Sequence, residues 1–106
     1  MSNNPIIEIQ STNQLEELMT GKEPIILYFS LDNCNVCEDV LHMLMELVDD
    51  TIKVGKIDIN EQKEIAGQRV VFTVPTILIF NEGRELLRES RFIDFNNIKR
   101  LLDNIK

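Results

Sequence analysis

Ile25-Ile26-Leu27-Tyr28-Phe29-Ser30-Leu31-Asp32-Asn33-Cys34-Asn35-Val36-Cys37 is the stretch that decides the fold. Pro24 introduces five apolar residues in succession, Ile25 to Phe29, and their lack of alternation predicts a strand buried on both faces, as in α/β sheets. From Cys34 to Asp50, Val36, Val40, Leu44, Leu47 and Val48 recur at helical spacing, with Asn33 or Asp32 placed as N-cap. A buried strand therefore feeds a helix whose first turn carries both cysteines.

Working outward, Ile6 to Ile9 reads as a short strand. Ser11 and Gln14 have capping-box spacing for a helix to about Met19, with Gly21 as its stop. Downstream, Val54 to Ile59 predicts a strand, Glu61 to Gly67 a short helix and Thr76 to Phe80 a strand. Asn81-Glu82-Gly83 makes a turn, and Arg84 to Arg91 pairs back antiparallel. Asp94 caps a last helix with Phe95, Ile98, Leu101, Leu102 and Ile105 on its apolar side. The order βαβαβαββα implies an α/β fold: a mixed central sheet of four to five strands flanked by about four helices, in one domain over residues 1–106.

The chain of 106 residues is 43% hydrophobic, enough for one core without disulfide or metal staples. Its 18 acidic and 11 basic residues give a net charge of -7 with no basic cluster, which argues against nucleic acid as a partner. Met1 to Pro5 lacks the charged and apolar regions of a secretory signal, and no apolar run approaches the roughly 20 residues that span a bilayer. A cytoplasmic protein without a membrane partner is the expectation.

Two cysteines two residues apart cannot frame a small secreted scaffold; in a reducing compartment such a pair is redox-active or metal-binding. At a helix start they can close a small disulfide ring, and the unpaired backbone N–H groups there stabilise a thiolate on the first sulfur. Cys34 is the expected nucleophile, and Cys37, one turn further in, the resolving thiol. Zinc needs four ligands, whereas the chain offers two thiols and His42, which lies five residues past Cys37 and turns away from the sulfurs. His42 reads as a helix-surface residue and Met43 and Met45 as packing residues. No phosphate loop, paired catalytic carboxylates or Ser-His-Asp arrangement stands out.

From about Ser11 to Lys106 the chain resembles the thioredoxin family. The strand, the Cys-x-x-Cys at a helix start, Lys56-Ile57-Asp58-Ile59-Asn60, Val74-Pro75-Thr76 and Phe80-Asn81-Glu82-Gly83 follow the family's order and spacing. The resemblance implies a cis Pro75 packed against the disulfide and a Val74 backbone that pairs with bound substrate. Asn35, Val36, Phe72, Thr73 and Arg91 are the further expected substrate-binding positions.

The departures are specific. Ser30 and Asn33 stand where the family usually has tryptophans, and Tyr28 stands where it has a buried aspartate. Lys56, which matches that aspartate's partner, is expected to pair with Asp58 or reach solvent, because a buried unpaired ammonium is costly. Asn35-Val36 replaces Gly-Pro between the cysteines, and Arg91 replaces a glycine; it reads either as a compensating positive charge at a site where Asp32, Glu38 and Asp39 disfavour a thiolate or as a solvated surface charge.

The expected function is thiol–disulfide exchange on protein or low-molecular-weight disulfides, with no cofactor beyond the Cys34–Cys37 disulfide. Electrons are expected from a thioredoxin-reductase-like or thiol-based donor. The alternative is a non-catalytic binding module or redox-sensing adaptor on the same fold.

Overall fold

The structure, a computed structural model, describes residues 6–105; Met1 to Pro5, read above for a signal segment, and Lys106 lie outside the described residues. In chain order the elements are β1 (Ile6–Glu8), α1 (Thr12–Met19), β2 (Ile25–Ser30), α2 (Asn35–Leu47), β3 (Lys53–Asp58), α3 (Lys63–Gln68), β4 (Thr76–Asn81), β5 (Arg84–Ser90) and α4 (Phe95–Ile105). The strands form one sheet in the order β1-β3-β2-β4-β5, with β1, β3 and β2 parallel and β4 and β5 antiparallel.

All six residues of β2 are buried, as its unbroken apolar run requires of a strand at the centre of a covered sheet. Successive side chains take opposite faces. Ile26 and Tyr28 join Cys37, Val40, Leu44, Ile98 and Leu102 in the core beneath α2 and α4. Ile25, Leu27 and Phe29 join Leu15, Ile57, Ile65, Leu78 and Phe80 in the core beneath α1 and α3. This parity places Tyr28 on the cysteine side.

Capping chemistry fixes most helix starts. Ser11 Oγ accepts from the Gln14 amide at 3.1 Å while Gln14 Oε1 accepts from the Gln10 amide at 2.7 Å. Asp94 Oδ1 accepts from the amides of Asn96 at 3.0 Å and Asn97 at 3.2 Å.

Several boundaries correct the sequence expectation. The N-cap of α2 is Cys34, neither Asn33 nor Asp32: its extended backbone and its sulfur, which accepts from the Cys37 amide at 3.1 Å, do what an oxygen was expected to do one or two residues earlier. The helix ends at Leu47, short of Asp50, because Val48 turns extended and the Asp49 carboxylate closes a turn onto the Thr51 amide at 2.9 Å. Val36 belongs to the apolar spacing yet is 58% exposed, since the first turn projects past the sheet, and Met43 is exposed where packing was expected; Met45 does pack on the core.

Asn81 ends β4, leaving Glu82-Gly83 as a two-residue hairpin loop. Both have positive φ, 53° and 79°, the handedness that matches strand twist. Beyond Gln68, the Val71 amide bonds to the Ala66 carbonyl at 2.8 Å and the Val70 amide to the Gly67 carbonyl at 3.2 Å, a Schellman closure of α3. The left-handed position of that motif is held by Val70, φ 58°.

Candidate redox site

The strand ends assemble the site. β2 delivers Cys34 to the sheet edge, and β4, running antiparallel to β2, begins at that same end just after Pro75; β5 ends beside it. Cys34 and Cys37 are joined by a disulfide with Cα atoms 5.2 Å apart. Cys34 is partly exposed, whereas Cys37 is 3% exposed. The reach of the Cys37 amide to Cys34 Sγ aims a helix-terminal N–H at the outer sulfur.

The Val74–Pro75 peptide is cis, and Pro75 and Thr76 are buried. Thr76 Oγ1 donates to the Thr73 carbonyl at 2.7 Å and lies 3.1 Å from Ser90 Oγ, which ties the loop to β5. The Arg91 amide then donates to the Pro75 carbonyl at 2.9 Å. Arg91 has φ 65°, a conformation that suits the glycine usual at its position. Val74 packs with Cys34 against the core on the α2 side. Asn35, Val36, Phe72 and Arg91 are exposed around this arrangement, and Phe72 is 74% exposed.

Beneath the disulfide, the fully buried Tyr28 donates its hydroxyl to the Cys37 carbonyl. Burial pushes the phenol well above its ordinary value, so it remains a donor throughout the neutral range. Tyr28 and Lys56 are register partners across β2 and β3, and Glu8 is the partner of Lys56 across β1. Lys56 finds its counter-charge in Glu8, with Nζ 3.9 Å from Oε1, and its side chain is 34% exposed. Of the two expected outcomes for Lys56, reaching solvent holds and pairing with Asp58 does not: Asp58 Oδ1 instead accepts from the amides of Asn60 and Glu61 at 2.8 and 3.1 Å. A cavity of about 80 Å³ opens here, lined by Tyr28, Asp32, Cys37, Glu38, Leu41 and Lys56 among others.

His42 is exposed on α2. Asp32, Asp58 and Glu61 bring one carboxylate oxygen each within 4.8 Å of one another at the rim. Three features escaped the sequence reading. Tyr28's hydrogen bond depends on packing, the Cys34 cap uses an atom outside the usual capping set, and Phe92, 91% exposed directly after Arg91, carries no motif that singles it out.

A five-stranded mixed sheet with a Cys-x-x-Cys disulfide at the N-terminus of its second helix and a cis-proline loop at the same end of the sheet defines a thiol–disulfide oxidoreductase on a thioredoxin fold. Residues 5–106 match the sequence model of the family described as Thioredoxin, and the chain belongs to that family. It is 34% identical over 99 residues to the thioredoxin-like protein YdfQ of Bacillus subtilis, covering 92% of this chain and 88% of that one. A bifunctional thioredoxin reductase/thioredoxin of Mycobacterium leprae is 24% identical over 85 residues, 77% of this chain and 19% of that one. In fold, the chain superposes on a mutant thioredoxin from Halobacterium salinarum with a TM-score of 0.84 at 23% identity, covering 98% of this chain and 93% of that one.

Proposed function

We infer that Cys34 is the nucleophile and Cys37 the resolving thiol of a two-electron cycle that reduces disulfides on polypeptides or small thiol compounds. The observation that carries this reading is the asymmetry of the pair: the outer cysteine is partly exposed and its sulfur faces a helix-terminal amide, while the inner one is buried. The Cys34 thiolate attacks one substrate sulfur and expels the other as a thiolate. The Cys37 thiolate then attacks Cys34 Sγ, releasing the second substrate thiolate and leaving the Cys34–Cys37 disulfide.

Asn35 and Val36 flank the attacking sulfur, Phe72 and Arg91 border the groove, and the Thr73-Val74-Pro75 backbone aligns the substrate chain. The cycle needs no cofactor beyond its own disulfide. A thioredoxin-reductase-like donor restores the dithiol; the Mycobacterium leprae relative, whose name joins the two activities, supports that class of donor. A reducing cytoplasm suits a pair that must return to the dithiol.

A second reading, a binding module or redox-sensing adaptor, draws on Tyr28, which puts a phenol in place of a carboxylate beside Cys37. Insulin reduction with a chemical or enzymatic donor separates the two. The oxidoreductase reading expects turnover by the wild type, loss of it in Cys34→Ser, and trapped mixed disulfides in Cys37→Ser; an inactive wild type overturns it.

A further inference from the structure

Before Cys37 can attack, its thiol must lose a proton, and the nearest group on β2 cannot take it. Tyr28 already commits its hydroxyl as a donor to the Cys37 carbonyl. We propose that Glu38 is the proton acceptor of the resolving step, taking the Cys37 proton through water in the cavity that both residues line.

The cavity has room for water and is walled by polar groups, which is what an ordered water requires. Four titratable side chains face it from the surrounding elements: Tyr28 from β2, Lys56 from β3, Asp32 from the β2–α2 loop and Glu38 from α2. Lys56, bridged to Glu8, is a cation with no free lone pair and cannot accept the proton. Asp32 sits with Asp58 and Glu61 in a cluster of like charges at the outer rim. Glu38 is exposed, immediately follows Cys37 and lines the same water-sized cavity, so a carboxylate and the inner cysteine border one solvent space.

The step rests on the Cys34–Cys37 cycle proposed above, and it balances. The Cys37 S–H bond breaks, its proton passes by water to the Glu38 carboxylate, and the resulting thiolate forms the S–S bond to Cys34. The bond from Cys34 to the substrate sulfur breaks with its electron pair on the substrate, which leaves as a thiolate and recovers a proton from Glu38 or solvent. Two electrons pass from the protein dithiol to the substrate disulfide.

Stopped-flow mixing of the reduced protein with excess dithionitrobenzoate reads the two steps separately. The first thionitrobenzoate is released at a rate proportional to reagent, and the second at a rate independent of it. Glu38→Gln is expected to slow the second release about tenfold, below the 10²–10⁴ range of a sequestered base because water reaches this cavity. It should also convert a flat pH profile of that phase into one that climbs with hydroxide. Glu38→Asp restores most of the rate, and Glu46→Gln, an exposed change elsewhere on α2, leaves both phases as they are. An unchanged second phase in Glu38→Gln, or a loss confined to Asp32→Asn, overturns the assignment to Glu38. Absence of any second release from the wild type overturns the two-thiol cycle itself.

Discussion

The Tyr28 hydroxyl reaches up from the central strand and donates to the main-chain carbonyl of Cys37, linking the sheet to the first turn of α2 beneath the disulfide. A buried phenol thus holds the helix that carries the redox pair by a neutral hydrogen bond. Tyr28→Phe keeps the ring and its packing and removes only that bond, so the expected loss is about 1 kcal/mol of stability at neutral pH. The pH dependence has a definite sign. Because burial raises the folded-state pKa of the phenol, the bonus is complete below the unfolded value of about 10 and drains away as pH rises above it, at up to about 1.4 kcal/mol per unit. Urea unfolding of both proteins at stepped alkaline pH checks this; the wild type is expected to lose its lead near pH ~11. Parallel curves for the two proteins refute the coupling.

The carboxylates around Cys34 should be visible in how charged disulfides approach. Asp32, Glu38 and Asp39 lie within five residues of it in a chain of net charge -7, against Lys56, which is bridged to Glu8 below the pair, and Arg91, which makes no ion pair among the described residues. Raising salt from about 0.01 to 1 M shrinks the Debye length from about 30 to 3 Å. Attack on the dianionic dithionitrobenzoate is therefore expected to quicken several-fold across that range, and attack on the dicationic cystamine to slow. Arg91→Gln steepens both trends. The same salt response for both reagents means that the rim does not act on approach, and an unaltered slope in Arg91→Gln removes Arg91 from it.

Much of this was legible in the sequence because the fold rests on patterns that local chemistry enforces. The apolar run of β2 has no stable place except a covered sheet, and the helical stripes of α2 and α4 have no other face to bury. Boundaries were less legible where tertiary packing chose among near-equal options: Cys34 displaced Asn33 and Asp32 as cap, and Val48 left the helix to fill the core. Parity alone puts Tyr28 on the α2 side; only the depth of the helix above it brings its hydroxyl to Cys37. Lys56 chose Glu8 over Asp58 because β1 lies alongside β3 and because two backbone amides already hold Asp58.

Phe92 is a large apolar residue that lies 91% exposed, next to an amide that bonds the cis-proline carbonyl. Phe72 is likewise exposed just ahead of the Thr73-Val74-Pro75 loop, so two solvent-facing rings adjoin the segments that this hydrogen bond joins. Phe92→Ser and Phe72→Ser are each expected to change stability by less than about 0.5 kcal/mol, since little is buried at either position. For insulin, KM should rise about three- to tenfold, the equivalent of roughly 0.5–1.5 kcal/mol of aromatic contact. The rate with cystamine, too small to reach either ring, should stay constant. Equal losses on both substrates place the effect at the sulfurs instead.

Val70 completes the turn that launches the Thr73-Val74-Pro75 loop, and it is an unfavourable residue for the task. Its φ of 58° places a β-branched side chain in the left-handed region, while 61% exposure means that the side chain gains little from burial. The backbone stays there because the Schellman bonds to Ala66 and Gly67 fix it, and because Arg88 binds the carbonyls of Arg69 and Val70 at 2.7 and 3.0 Å. Glycine suits that position without the Cβ conflict. Val70→Gly is accordingly expected to stabilise the protein by about 1 kcal/mol, the left-handed penalty of roughly 1–2 kcal/mol less the added entropy of the unfolded chain. Tm rises by about 4–8 °C for a chain of this size. Val70→Asn gains part of that, because asparagine tolerates the same conformation. Arg88→Ala in the wild type should cost stability, since it frees two carbonyls and leaves Val70 held by the Schellman bonds alone. Calorimetry in which Val70→Gly melts at or below the wild type would show that the left-handed backbone carries no cost here.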